Sequence, residues 1–438
     1  MIRSMKIKVV VILLLLMTFG SKAAQIKDGG ANVATQLPRL LRHPAQGKTS
    51  TKRSSGAQSR TLRLTPHKIS LADGRSFSLN LPEGFDITVA AEGLKRVRFM
   101  ARSPDNRIFV TDMYNLTDNS RGVVYILYDF DERTGKFASV TRYLTRLRNP
   151  NSIAFYTDRA GNSWLYLALT ERLVRYRYVN GDDAPSGAPE VLATFPDYGL
   201  SYKYGGWHLT RTVTVGPNDK IYVSVGSSCN ACEEKEEIRA TVLEMDAAGR
   251  NKRVFARGLR NAVGIKWANG KLFATNMGAD HLGLNRPQDT FYAVREGLNY
   301  GWPYCYQYRS KIYSDPQFDK SAKRLKCEDV PLADATFAAH SSPLGLEYFD
   351  SRQHSAILQN SFLVALHGSS DHKMGRGHLI VQVKERSRVR DFVSGFIQQG
   401  NLYGRPADVM QMGTDSFLFT DDYAGVVYYV FRKSVASR

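Results

Sequence analysis

Residues 97–113, VRFMARSPDNRIFVTDM, and 122–130, GVVYILYDF, read as strand, turn, strand, gap, strand. Apolar residues alternate at period two, the spacing that sends successive side chains to opposite faces of a strand. The unit returns as NSIAFYTDRAGNSWLYLAL with RLVRYRYV, as TRTVTVGPNDKIYVSVG with TVLEMDA, and as VGIKWANGKLFATNM with TFYAV. It returns twice more, as LGLEYFDSRQHSAILQNSFLVAL with HLIVQV and as ADVMQMGTDSFLFTDD with GVVYYVF. Most copies place Asp, Asn or Gly at the first turn. Six copies of a multi-stranded unit predict an all-β, six-bladed β-propeller, a sheet arrangement closed radially so that few edges are exposed. The copies recur every fifty to sixty-odd residues except for one interval of about eighty. That interval predicts an insertion between the fourth and fifth blades, near residues 295–340. A parallel α/β fold would need amphipathic helices between the strands, and none of adequate length is present.

The N-terminal region differs in composition. Arg3, Lys6 and Lys8 precede the apolar run VVVILLLLMTF, and Ser21, Ala23 and Ala24 follow, so residues 1–24 read as an export signal. The apolar run falls short of the roughly twenty residues that span a bilayer, with an uncleaved anchor as the alternative; no stable span is expected elsewhere. Of the net charge of +19, the larger part lies in residues 1–80, which hold fourteen Lys and Arg against two Asp and Glu. Residues 25–75 are basic, polar and without aromatics, so they read as a disordered low-complexity linker, with the propeller at 76–438. An arm without aromatics is no stacking platform for bases, and no nucleic-acid partner is expected.

Export permits disulfides, and the four cysteines are an even count. Proximity in sequence favours Cys229 with Cys232 and Cys305 with Cys327. The CxxC pair leaves metal or redox chemistry open, although zinc would want a second close ligand pair.

The segments entering the first strand of each copy share a register. They carry Lys95, Arg96, Arg148, Asn149, His208, Arg260, Asn261, His340 and Arg405. In equivalent blades these residues converge on one mouth of the central channel. A lone histidine is ordinarily structural, and RNP or GRP are common turn tripeptides. Their shared register points instead to a cationic rim suited to an anionic ligand, because guanidinium forks match carboxylates.

The chain resembles the soluble quinoprotein sugar dehydrogenases, which include soluble glucose dehydrogenase, aldose sugar dehydrogenases and sorbosone-dehydrogenase-like proteins and use pyrroloquinoline quinone (PQQ). The resemblance runs from about residue 81 to 432. Its motifs are WHLTRTVTVGPNDKIYVSVG, GLRNAVGIKW, NMGADHLG, GLNYGWPYC, HSSPLGLEYF, ALHGS, GRPADVMQM and FTDDYAGVVYYV. It implies that His208, eight residues before Gly216, is the general base, and that Arg260 and Asn261 hold the quinone, with Arg260 also catalytic, close to the reactive carbonyl where it stabilises the charge developing on oxygen. It implies that Arg405 pairs with a PQQ carboxylate and that calcium is held by the carbonyls of Gly278 and Ala279, with Asp280 nearby. Val263 and Ala407 stand where the family has a glutamine and an arginine, and the loop HGSSDHKMGRGH replaces a basic element, leaving Lys373 or Arg376 as substitutes. Aromatic faces suit the C–H side of a sugar, which singles out Trp207, Tyr300 and Trp302.

The residue types suit that chemistry independently. Oxidising an alcohol or hemiacetal removes a hydride from carbon and a proton from oxygen, and neutral histidine takes such a proton near neutral pH. Arginines at the mouth would hold a planar tricarboxylate, and calcium would take hard oxygen ligands. The expected partners are a sugar and a periplasmic electron acceptor such as a cytochrome, in a periplasmic or secreted protein. Two alternatives stay open. One is a cofactor-free propeller binding carbohydrate or protein. The other is a calcium-dependent lactonase-type propeller, which would want Asp, Glu and Asn at the blade starts.

Overall fold

The computed structural model describes residues 62–196, 208–323, 325–350, 354–384 and 388–433. The propeller has six four-stranded antiparallel blades. Blade one comprises Val97–Arg102, Ile108–Asp112, Gly122–Asp131 and Lys136–Leu147. Blades two and three follow the same order, opening with Ser152–Thr157 and Arg211–Val215. Blade five opens with Pro343–Phe349. The first strand of each blade touches the first strand of the next, round to blade one, so these six strands line the channel.

Blade six closes the ring. Its first three strands are Pro406–Gly413, Ser416–Asp421 and Val426–Arg432, and its outer strand is Phe85–Ala91 from the start of the fold, paired from Phe85 with Arg432. Pairing this early strand with Val426–Arg432 covers one edge of each.

Two expectations are corrected. The insertion lies within blade four, not between blades four and five. Blade four runs Ile265–Ala268, Lys271–Asn276 and Asp289–Val294, and its outer strand, Ala335–Phe337, comes only after the insertion. A four-stranded unit tolerates this because its outermost strand is joined by a surface loop, where added length costs little. The insertion carries the hairpin Cys305–Tyr308 with Lys311–Ser314. Both disulfides form as proximity suggested, Cys229 with Cys232 and Cys305 with Cys327.

The second correction concerns the linker. Residues 1–61 lie outside the described residues, including the export signal and most of the linker, but the strand Leu64–Ser70 pairs with Ser76–Pro82. The propeller unit therefore starts before residue 76. Ile69, 2% exposed, packs in one cluster with Phe77, Leu79, Phe392 and Phe417. Burying an isoleucine contributes about 1.5–3 kcal/mol. A chain beginning at Leu71 is therefore expected to unfold at lower denaturant than one beginning at Arg60, and equal midpoints would show that the first strand contributes nothing. Among the described residues, no helix is long and apolar enough to cross a membrane.

Candidate active site

Two local devices aim the entry segments at the channel mouth. In blades one, four and six the second strand ends in Thr-Asp or Thr-Asn. Thr111, Thr275 and Thr420 each donate a hydroxyl to a backbone carbonyl in or just before the next blade's first strand, those of Asn151, Leu344 and Arg98. The residue after each threonine then holds the entry segment of its own blade. Asp112 accepts the backbone N–H of Lys95 and Arg96, Asn276 that of Asn261, and Asp421 that of Arg405. Blades two, three and five instead enter through a left-handed residue three positions before the strand: Asn149 at φ 41°, His208 at φ 58° and His340 at φ 66°. Non-glycine residues seldom occupy this region, and they concentrate at functional sites.

At the mouth lies a cavity of about 460 Å³ whose lining includes Arg98, His208, Arg260, Asn261, Asp280, Asp289, His340, His367 and Arg405. Its size is that of a small-molecule site. His208 Nδ1 is 3.0 Å from both the carbonyl oxygen and the hydroxyl of Ser227. The Ser227 hydroxyl donates its proton to the Cys229 carbonyl, so both neighbours of Nδ1 can only accept. Nδ1 therefore carries the ring proton and Nε2 is the basic nitrogen. Burial, and then the Arg260 charge, hold the imidazole well below its ordinary pKa of 6.5, so it is neutral at physiological pH.

Arg260 is 3% exposed. Its Nε and Nη2 donate to the carbonyl and side-chain oxygens of Asn230 at 2.8 and 2.9 Å, Nη1 donates to the Gly278 carbonyl at 2.8 Å, and Asp280 lies 3.3 Å away. Arg405 donates to the carbonyls of His367, Gly368 and Ser369, which pins the HGS of ALHGS.

Sequence reasoning missed the buried network between these groups. Asp422, fully buried, accepts hydrogen bonds from Arg98 Nη1 and His367 Nε2, each at 2.7 Å, and forms an ion pair with Arg96 Nη1 at 3.3 Å. Arg98 Nε donates to Asn151 Oδ1, and its Nη2 has no hydrogen-bond partner among the described residues while the side chain lines the cavity. Arg98 is thus a third guanidinium at the mouth. The available signal was FTDD, whose second aspartate directly follows the second strand of blade six.

Other candidates fall outside the cavity. Lys373 is exposed, and Arg376 bonds Asn285 instead. Tyr300 packs in the blade-four core against Tyr292, and Trp302 donates its indole N–H to the Asn230 carbonyl from the insertion side. Neither lines the cavity: the backbone N–H groups of Tyr300 and Trp302 donate to the carbonyls of Arg257 and Gly258, which holds this part of the insertion beside the mouth and not over it. Trp207 lies outside the described residues. Lys95, Arg96, Arg148 and Asn149 are also absent from the lining, and Arg148 is paired with Asp118.

Val263 and Ala407 join Phe99, Leu344 and Met277 in an apolar cluster. Val263, Leu344 and Met277 floor the mouth cavity, and Phe99 faces a second cavity of about 580 Å³ lined by the first strands. Val263 thus gives the mouth cavity an apolar surface, whereas Ala407 is fully buried and lines neither cavity.

The calcium ligands expected from the sequence do not fit a cation as they stand. The Gly278 carbonyl already accepts from Arg260, Ala279 does not line the cavity, and Asp280 is shared between Arg260 and His340. Asp289 accepts the N–H groups of Gly278 and Ser342, and burial raises its pKa to about 6.

A family model described as TrAA12-like matches residues 79–394, most of the described fold. The chain belongs to the TrAA12-like family. An uncharacterized protein of Borreliella burgdorferi is 27% identical over 240 residues, a match covering 52% of this chain and 62% of that protein. The chain thus spans less than two thirds of that relative. This TrAA12-like chain also shares its fold with the holo form of the pyranose dehydrogenase PQQ domain from Coprinopsis cinerea, at TM-score 0.64 and 16% identity over 81% of this chain and 97% of that one. The calcium structure of the Trichoderma reesei carbohydrate-active enzyme of family AA12 has TM-score 0.65 and 15% identity, over 86% of this chain and 100% of that one. The TrAA12-like chain is accordingly related to the PQQ-dependent sugar dehydrogenases recognised from its motifs.

Proposed function

We propose that this chain is a PQQ-dependent oxidoreductase acting on a sugar or a related alcohol or aldehyde. The observation that carries the reading is the meeting, in one cavity, of a neutral histidine with the guanidinium groups of Arg98, Arg260 and Arg405. These cations suit a planar tricarboxylate, and the cavity is large enough for a small ligand. When bound, PQQ supplies an ortho-quinone that accepts a hydride. His208 takes the hydroxyl proton of the substrate on Nε2, with Ser227 holding the tautomer from the far side of the ring. Arg260, Arg405 and Arg98 would hold and orient the carboxylates, and Asn261 adds a polar group beside Arg260. Of the groups offered for calcium, the Gly278 carbonyl and Asp280 are already engaged by Arg260. Export, with both disulfides formed, fits a periplasmic or secreted enzyme handing electrons to a carrier such as a cytochrome.

One observation favours a second reading, a cofactor-free binding propeller: Nε, Nη1 and Nη2 of Arg260 all donate to the protein itself. Titrating the purified chain with PQQ, with calcium in the buffer, separates the two. Saturable binding is expected, weakened roughly ten- to hundred-fold in Arg260→Ala, the loss of one charge-assisted contact of about 1.5–3 kcal/mol. Absence of binding at micromolar PQQ, with the fold intact, would establish the binding propeller instead.

A further inference from the structure

The loop 227–234, SSCNACEE, leaves the second strand of blade three, Lys220–Val225, and is closed on itself by the Cys229–Cys232 disulfide. A cross-link three residues apart holds the intervening backbone in one tight turn, so the groups between the cysteines have few conformations to sample. Those groups point at the site. The Asn230 carbonyl accepts Arg260 Nε at 2.8 Å, and Asn230 Oδ1 accepts Arg260 Nη2 at 2.9 Å. One residue thus occupies a whole edge of the guanidinium plane, the two-pronged geometry that fixes both direction and tilt. The same Oδ1 accepts the backbone N–H of Asp280 at 2.8 Å, which brings the segment after blade four's second strand to the same point. Ser227, at the start of the loop, donates its N–H to the Arg260 carbonyl and holds His208 Nδ1. The insertion braces the loop through the Trp302 indole N–H on the Asn230 carbonyl at 3.2 Å.

We infer that Asn230, presented by the disulfide-closed loop, is a positioning residue that sets the orientation of the Arg260 guanidinium at the channel mouth. The insertion in blade four then has a role in the site, since it carries the tryptophan that seats this loop. The consequence for cofactor affinity rests on the proposed PQQ reading, whereas the positioning itself does not.

The test is made on the full chain, with nitrogen-resolved NMR of the Arg260 guanidinium assigned by its loss in Arg260→Lys. A guanidinium gripped along one edge rotates slowly, and separate Nη–H signals are expected in the wild type. Asn230→Ala leaves the backbone carbonyl on Nε and the Gly278 carbonyl on Nη1 but removes the Oδ1 acceptor of Nη2, so the signals should exchange faster, towards averaging, there and in the double variant Cys229→Ser with Cys232→Ser, and be resolved again in Asn230→Asp, which keeps the acceptor oxygen. Gln317→Ala should keep them resolved, since Gln317 bonds the same loop at the Ala231 carbonyl without touching Arg260. If PQQ binds, Asn230→Ala should weaken it roughly tenfold, one charge-assisted contact. Signals still resolved in Asn230→Ala would overturn the inference even if the cysteine variant fails to fold. Averaged signals in Asn230→Ala together with no PQQ binding by the wild type would uphold the positioning and defeat the cofactor reading.

Discussion

His208→Ala is expected to lower turnover by roughly two to four orders of magnitude, the range for loss of a general base, while PQQ binding stays near that of the wild type. The arginines that would hold the carboxylates are separate side chains with their own partners, and His208 contributes only the proton acceptor at Nε2. Stopped-flow reduction of the bound cofactor, compared with an equilibrium titration, separates the two effects. Near-normal turnover in His208→Ala would remove the histidine from the mechanism. The pH profile adds a second check. Burial and the neighbouring Arg260 disfavour the imidazolium, so the acid limb that belongs to His208 should lie below 6.5. In Arg260→Ala that limb should move up, because a like charge beside the ring has gone.

Asp422→Ala should destabilise the fold by about 3–5 kcal/mol, the usual consequence of removing one partner from a buried ion pair. The carboxylate is fully buried and faces Arg98 and Arg96 of blade one and His367 of blade five. Its loss would leave the buried Arg98 guanidinium without its counter-ion at the blade that closes the ring. Denaturant unfolding measures the change, and a midpoint within error of the wild type would refute it. His367 and the two arginines hold the Asp422 carboxyl below its ordinary value of 3.8 against the opposing effect of burial. The unfolded chain therefore binds this proton first as pH falls. The ion's stabilisation is present in full above pH 3.8 and is lost progressively on acidification below it. Asp422→Ala should flatten that part of the acid unfolding curve.

Much of the architecture was legible because it is written locally. Period-two alternation, turn residues and sixfold recurrence within short windows specify antiparallel strands and their number. The entry segments announced themselves by register, and five of their residues, His208, Arg260, Asn261, His340 and Arg405, do line one cavity. The disulfides join cysteines 3 and 22 residues apart, close enough for proximity to pair them.

What the sequence by itself determined is therefore the all-β propeller, its blade count and the register that collects the basic residues at one mouth. Only the tertiary structure decided which of those residues reach the cavity and what holds them. Arg98 and Asp422 are 324 positions apart and meet only because the first and sixth blades close on each other. The insertion looked like a spacer between blades, since spacing records where length is added but not which strand pairs after it. Tyr300 and Trp302 read as cover for a sugar, yet neither lines the mouth, since one packs on Tyr292 and the other bonds the Asn230 carbonyl. Blade order follows from local periodicity, whereas side-chain company depends on closure across the ring, and no window of sequence contains both sides of that contact.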